Sequence, residues 1–441
     1  MSIVKTIERF IPSQILMFYR SSKWKIKHWI YEHRYKCIVE RLSKKQDPIR
    51  VVFFVHEASN WKYDYLYRYM DQDSAFDVSV LVCERMDVKD GNTRLALMNK
   101  CIDMCKAHGY RVYSSFDEKR RKVFNPHSLK PDIIFYCNPY KGFYRRGYYM
   151  NSFRHSLICY SNYSYEIVPF TWAFTGLMQN LVWRYFCESK GHQILVSQYS
   201  PFKGHNTVVS GYPAIDAYMN NHAVGNEWKT ADRRIKRIVW APHQSIFDTK
   251  MSNSAAAVHF STFLLYADFM LDLAEKYKGK IQIAFKPHPF LKRNLYAHSD
   301  WGKEKTDTYY EEWVNRSNTC YIDSDYVDLF CSSDALIHDC GSFTAEYLCT
   351  QKPCMYLCTY MNGDNMNDMG KEAFESHYHG LSKEDIERFI TEVVIDGNDQ
   401  MREKRKAFFD ANLLPSNGCS VAENIINEIK RGIKKEDAPL Y

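Results

Sequence analysis

"ALIHDCGSFTAEYL" (335–348) is the stretch that decides the fold. A short apolar run of strand type passes through His338-Asp339-Cys340-Gly341-Ser342 and straight into a helical pattern. A strand, a small polar turn and a helix in immediate succession are a β–α unit. The free N–H groups of a helix's first turn suit an anion. The same residues also serve as a plain N-cap, with Ser342 or Asp339 closing the helix start. The stretch alone does not separate the two.

Outward from it the unit recurs. "IKRIVWAPH" (235–243), "KIQIAFKPHP" (280–289), "NTCYID" (318–323) and "KPCMYL" (352–357) read as buried strands, with helices predicted over 259–277, 308–316 and 327–332. Upstream, "IRVVFFVH" (49–56), "FDVSVLVC" (76–83), "YRVYSS" (110–115), "DIIFYC" (132–137), "HSLICYSNYSYE" (155–166), "HQILVSQ" (192–198) and "NTVVSGYP" (206–213) form a second set. Helices are predicted there over 61–70, 92–108 and 170–187. Strands alternating with helices predict doubly wound parallel sheets. The polar, unpatterned stretch 220–234 divides the chain into a Rossmann-like first domain, 48–220, and a Rossmann-like second domain, 235–441, which ends in helices near 367–377, 382–413 and 420–434. Two such domains face each other across a cleft lined by the carboxyl ends of their strands.

The 441 residues exceed one ordinary core and agree with two domains. The net charge of +7 is concentrated at one end: residues 1–46 carry eleven Lys/Arg against Glu8, Glu32 and Glu40, so the remainder is almost neutral. In this arm, 1–47, Phe10, Ile11, Ile15, Leu16, Phe18, Trp24, Ile26, Trp29, Ile30 and Tyr31 alternate with cations. The mixture predicts a basic amphipathic helix lying on an anionic membrane surface, and no nucleic-acid motif accompanies it. The apolar piece 11–19 is too short for a signal peptide, and 167–183 is interrupted by Pro169, Gln179 and Asn180, so a cytoplasmic protein held at the inner face of the membrane is expected. The 14 cysteines form no CxxC or zinc pattern and predict reduced thiols. GxGxxG after a strand, GxxxxGK[ST] and GxSxG are absent, which removes support for dinucleotide oxidoreduction, P-loop hydrolysis and esterase chemistry. Asp71-Gln-Asp73 and Asp323-Ser-Asp325 read as turn and cap residues rather than metal ligands.

Three strand-end loops of the second domain carry the chemistry. They supply His243 and Ser245, then Lys286 and His288, then Asp339, Gly341 and Ser342. In a parallel sheet these loops share one edge, and their donors suit a nucleotide diphosphate. Glu346, one turn beyond Ser342, is placed to accept the hydroxyls of a ribose. Lysine, histidine and helix N–H groups already neutralise a diphosphate, so neither metal nor other cofactor is expected. In the first domain, His56-Glu57 end a strand at the cleft edge and are the candidate proton acceptors, with His288 the third candidate catalytic group. The aromatic loop holding Tyr160, Tyr163 and Tyr165 is the candidate acceptor groove.

"WAPHQS", "FKPHP" and "HDCGSFTAEYL", preceded by "VVSGYPAID", resemble the CDP-glycerol glycerophosphotransferase family, which assembles teichoic acids and capsule polymers. The resemblance covers about 205–360. It implies the two-domain GT-B fold, contact of Lys286, His288 and Pro289 with the donor diphosphate, and a matching role for the Asp339-Gly341-Ser342 loop. Two departures stand out: the first domain has no histidine-glycine-threonine segment, and Gly341 stands where those enzymes carry serine. The function expected is transfer of a polyol phosphate from a CDP-activated donor to a lipid-linked or oligosaccharide acceptor in a cell-surface glycan. Two alternatives stay open at this point: a GT-B glycosyltransferase using a nucleotide sugar in capsule or lipopolysaccharide synthesis, and a non-catalytic membrane-docking partner of a polymer assembly complex.

Overall fold

A computed structural model describes residues 13–169, 171, 174, 176–220, 227–246, 261–323, 326–358 and 366–434, with side chains from residue 24 onward. The arm's first residues, the side chains through residue 23, linker positions 221–226 and Asp325 lie outside the described residues.

The strands run β1 (Ile49–Val55), β2 (Phe76–Val82), β3 (Val112–Ser114), a small hairpin β4 (Phe116–Asp117) and β5 (Lys122–Val123), then β6 (Ile133–Tyr136), β7 (Leu157–Ser161), β8 (Arg184–Cys187) and β9 (Thr207–Val209). After the linker come β10 (Lys236–Ala241), β11 (Ile281–Phe285), β12 (Thr319–Tyr321), β13 (Ala335–His338), β14 (Cys354–Leu357) and β15 (Tyr378–Gly380). The first sheet has the order β3-β2-β1-β6-β7-β8-β9 and the second β12-β11-β10-β13-β14-β15; every pairing within the two is parallel. Both orders reverse direction beside their first strand, at β1/β6 and at β10/β13. That is the switch point where open α/β sheets bind ligands. β1 and β10 are apolar runs because helices cover both faces, leaving Val51–Val55 and Ile238–Ala241 at most 1% exposed.

Two places differ from the sequence reading: the edge strand β15 falls between helices predicted near 367–377 and 382–413, where no strand is expected, and β8 falls where a helix is. "HQILVSQ" is not a strand: it lies in the helix Lys190–Tyr199, and the strand is Arg184–Cys187, inside the predicted helix 170–187. A four-residue apolar run has no period of its own. Ser189 decides the matter, because its hydroxyl caps the helix by accepting from His192 N–H.

Residues Ser13–Ser43 form one helix. Its lower half is a docked element: Tyr31, Tyr35, Ile38, Val39 and Leu42 are buried in the first domain's core, and Tyr35 Oη donates to Leu181 O at 2.9 Å. Ile26, Trp29 and Ile30 stay exposed. No described helix is long and apolar enough to cross a membrane. The last described helix, Val421–Lys434, packs against the helices Asp64–Gln72, Ser13–Ser43 and Ile215–Met219 of the first domain, not on the second.

Candidate active site

A cavity of about 290 Å³ opens between the two sheets. Glu57, Ser59, Asn60, Arg85, Asn138, Tyr140 and Tyr163 line one wall, all from loops at the carboxyl ends of the first sheet. Gln244, Lys286, His288, Tyr326 and Ser342 line the other, from the second domain.

The stretch 335–348 divides its residues among separate tasks. The helix Gly341–Glu346 starts at Cys340, with no side chain capping it. Asp339 is fully buried and does not line the cavity; it accepts from His243 N (2.5 Å), Thr262 N (2.5 Å) and Thr262 Oγ1 (2.8 Å), tying its own loop after β13 to both ends of the connection that follows β10. Burial raises its carboxyl to about 6, against these three donors. Ser342 is left facing the cleft. A Cβ on Gly341 would meet only Ile167 Cδ1 at 3.8 Å, so the protein itself leaves room for alanine there.

Lys286 lies 5.9 Å over the ring of Tyr326, and its side chain is among the cavity's lining. His288 accepts Phe290 N–H on Nδ1 at 3.2 Å, which leaves its proton on Nε2 as a neutral donor. Burial, then His243 and Lys286 nearby, lower its pKa to about 3. His243 stands edge-on to His288 at 5.3 Å, is lowered to about 4 by burial, and holds Ser245 Oγ at 2.9 Å. His243 and Ser245 thus support the loop whose Gln244 reaches the cavity.

Four expectations need correction. His56 is 1% exposed, beneath Tyr144, with Nδ1 on Cys83 O at 3.2 Å and a pKa lowered to about 4 by burial, so it is a core residue and does not line the cavity. Glu346 holds no open position for a ribose: its buried carboxylate accepts from Lys62 Nζ (3.1 Å), Tyr218 Oη (3.2 Å) and Tyr326 Oη (2.9 Å), joining the two domains. Tyr160 and Tyr165 are each 1% exposed and belong to the core; of the three tyrosines only Tyr163 meets the cavity. Glu57 does face the cleft, in an ion pair with Arg85 that also takes in Asp87.

Sequence reasoning missed Arg85, Asn138 and Tyr140. Each follows a strand end, Arg85 just beyond "FDVSVLVCE" and Asn138 just beyond "DIIFYC", and the strand-end rule used for the second domain would have found them. It also passed over Glu166, whose carboxyl burial raises to about 7.

Buried neutral histidines predict an acid-labile protein. His56, His243, His288, His338 and His377 all have folded pKa values depressed by burial. The unfolded chain therefore binds their protons first, from about pH 6.5 downward. Stability is full above that point and falls as the pH drops toward the folded values, about 3–4 for His56, His243, His288 and His338, each histidine contributing up to about 1.4 kcal/mol per pH unit. Asp339, Glu166 and Asp216, with raised values, work in the opposite direction but are outnumbered. Denaturant midpoints at about pH 7.5 and about pH 5 should differ clearly, the lower pH being the weaker; equal midpoints would contradict the neutral, buried assignment.

Comparison with known proteins gives this geometry a context. A model of the CDP-glycerol:poly(glycerophosphate) glycerophosphotransferase family matches residues 179–431. No curated protein matches the chain significantly. Among solved structures, a variant of the wall teichoic acid polymerase TagF is 14% identical with a TM-score of 0.55, the match covering 97% of this chain and 99% of that one. The same variant soaked with CDPG is 14% identical with a TM-score of 0.54, covering 97% and 99%. The UDP-GlcNAc 2-epimerase of Neisseria meningitidis, bound to UDP-GlcNAc, is 13% identical with a TM-score of 0.51, covering 87% and 99%. These likenesses are of fold, and the fold is GT-B-like.

Proposed function

The chain belongs to the CDP-glycerol:poly(glycerophosphate) glycerophosphotransferase family, and from that premise we propose that it transfers glycerol phosphate from CDP-glycerol to a hydroxyl of a teichoic-acid-like surface polymer. The observation that carries the reading is the cleft with Lys286, His288 and Ser342 on one wall and Glu57, Arg85, Tyr140 and Tyr163 on the other. The first set suits the donor's diphosphate, and the second suits a polyol acceptor.

In this reading the acceptor oxygen attacks the phosphorus that bears glycerol. The new P–O bond forms as the bond to the CMP phosphate breaks, and CMP leaves with the electron pair. Charge gathers on the bridging and non-bridging oxygens, where the Lys286 ammonium, the His288 Nε2–H and the Ser342 hydroxyl stabilise it. The acceptor's proton passes to Glu57, with Arg85 fixing the carboxylate's orientation. Asp339, His243 and Ser245 are positioning residues for the second-domain loops.

The arm's exposed Ile26, Trp29 and Ile30, beside Lys25 and Lys27, support contact with an anionic bilayer. Sedimentation with anionic vesicles tests it: the protein should pellet, the Trp29→Asp variant should pellet less, and equal behaviour would remove the contact.

Incubation with CDP-glycerol and a teichoic-acid-type acceptor should release CMP and lengthen the polymer. Release of UDP from UDP-sugars in its place would make the chain a glycosyltransferase and end this assignment.

A further inference from the structure

Away from the cleft, the amino-terminal helix meets the first domain through a cluster with metal-ligand chemistry. His28 and Glu32 are four residues apart on the helix Ser13–Ser43, so they project from one face one turn apart. His205 comes from the loop just before β9. His28 Nε2 lies 2.9 Å from His205 Nε2, and His205 Nε2 lies 3.1 Å from Glu32 Oε1. The ligand atoms of all three fall within 4.8 Å of one another, the only such group of three among the described residues.

We propose that His28, Glu32 and His205 bind a divalent transition-metal ion of the zinc type, which clamps the helix to the first domain. Two imidazole nitrogens and one carboxylate oxygen are a ligand set that Zn²⁺ takes, with a fourth position left to water. Around Zn²⁺ at bond lengths near 2.0–2.1 Å, tetrahedral ligand atoms stand about 3.3 Å apart. The His28–His205 and His205–Glu32 separations need to open by only a few tenths of an ångström, and the His28–Glu32 separation is at most 4.8 Å. Two ring nitrogens facing each other can share one proton at most. On binding, the ring that holds this proton shifts it from Nε2 to Nδ1 by exchange with water, so both imidazoles stay neutral and both Nε2 lone pairs turn to the metal. Glu32 supplies the negative charge. The ring of Phe202 stacks on His28 at 4.1 Å between centroids and shields one side. His205 and Glu32 are about one-third exposed, so the ion can enter from solvent.

The cluster stands apart from the cleft, so its test does not depend on the reaction. Tag-free, EDTA-treated protein is titrated with Zn²⁺ by calorimetry, and separately with Co²⁺, whose visible bands report tetrahedral nitrogen and oxygen ligation. The wild type should bind one equivalent that His205→Ala weakens by about tenfold or more, and Glu32→Gln should weaken it as well. The Co²⁺ bands should disappear in both variants. Zn²⁺ should also slow proteolysis of the helix in the wild type alone. Absence of binding in the wild type would leave a hydrogen-bonded His–His–Glu cluster and overturn the proposal. So would equal binding in wild type and His205→Ala, which would place the ion elsewhere.

Discussion

Lys286→Met is expected to lower kcat/KM for CDP-glycerol by about two to three orders of magnitude, with little change in thermal stability. The ammonium sits against the cavity among apolar and aromatic surfaces, where water screens it poorly. A donor aimed at charge that develops during reaction contributes about 2.7–4 kcal/mol to catalysis in such a site. Methionine keeps the apolar stem that passes Tyr326, so packing survives while the charge is lost. If the loss lies mainly in kcat, Lys286 serves the transition state; if mainly in KM, it serves ground-state binding. Wild-type kinetics in a folded Lys286→Met protein would remove the diphosphate assignment.

The second large effect concerns stability. Glu346→Ala should cost about 3–5 kcal/mol, because it leaves the Lys62 ammonium buried without its carboxylate. Lys62 and Glu346 side chains are 5% and 0% exposed, and the carboxylate also satisfies two tyrosine hydroxyls. Replacing the pair together, Lys62→Met with Glu346→Leu, should recover much of the loss, since two apolar groups leave no orphaned charge. Because Lys62 and Glu346 belong to different domains, Glu346→Ala should also separate a single urea transition into two. A loss within about 1 kcal/mol, the range of an exposed pair, would show that the lock is not holding the domains.

Most strands of both sheets were legible because burial on both faces leaves nearly uninterrupted apolar runs, as in "VVFFV" and "IQIAF"; the short β8 and β15 were not. The second domain's cleft-facing residues were legible for a related reason: a polar residue soon after such a run sits at the sheet's carboxyl edge, as Lys286, His288 and Ser342 do. What sequence left open was which way a side chain turns at that edge. His56 and Glu57 are neighbours at the end of β1, and one turns into the core beneath Tyr144 while the other faces the cleft. Glu346 was misplaced because helical spacing from Ser342 says nothing of a lysine 284 residues away that claims the carboxylate. "HQILVSQ" failed for want of a period, and its helix is set by the cap at Ser189.

The helix Val421–Lys434 carries a consequence in time. Asp216, 205 residues earlier, accepts the N–H groups of both Val421 and Ala422, and Glu428 pairs with Arg184. Ile425 and Ile429 are fully buried against the first domain. At about 5–20 residues per second, a ribosome needs about 10–40 s to pass from Asp216 to this helix. Throughout that interval the emerging first domain must keep an apolar face uncovered, since the element that seals it has not yet been made. The first domain therefore completes its core only after the second has been synthesised, and a chain truncated before Val421 should expose that face and bind a hydrophobic dye more strongly than the full chain does.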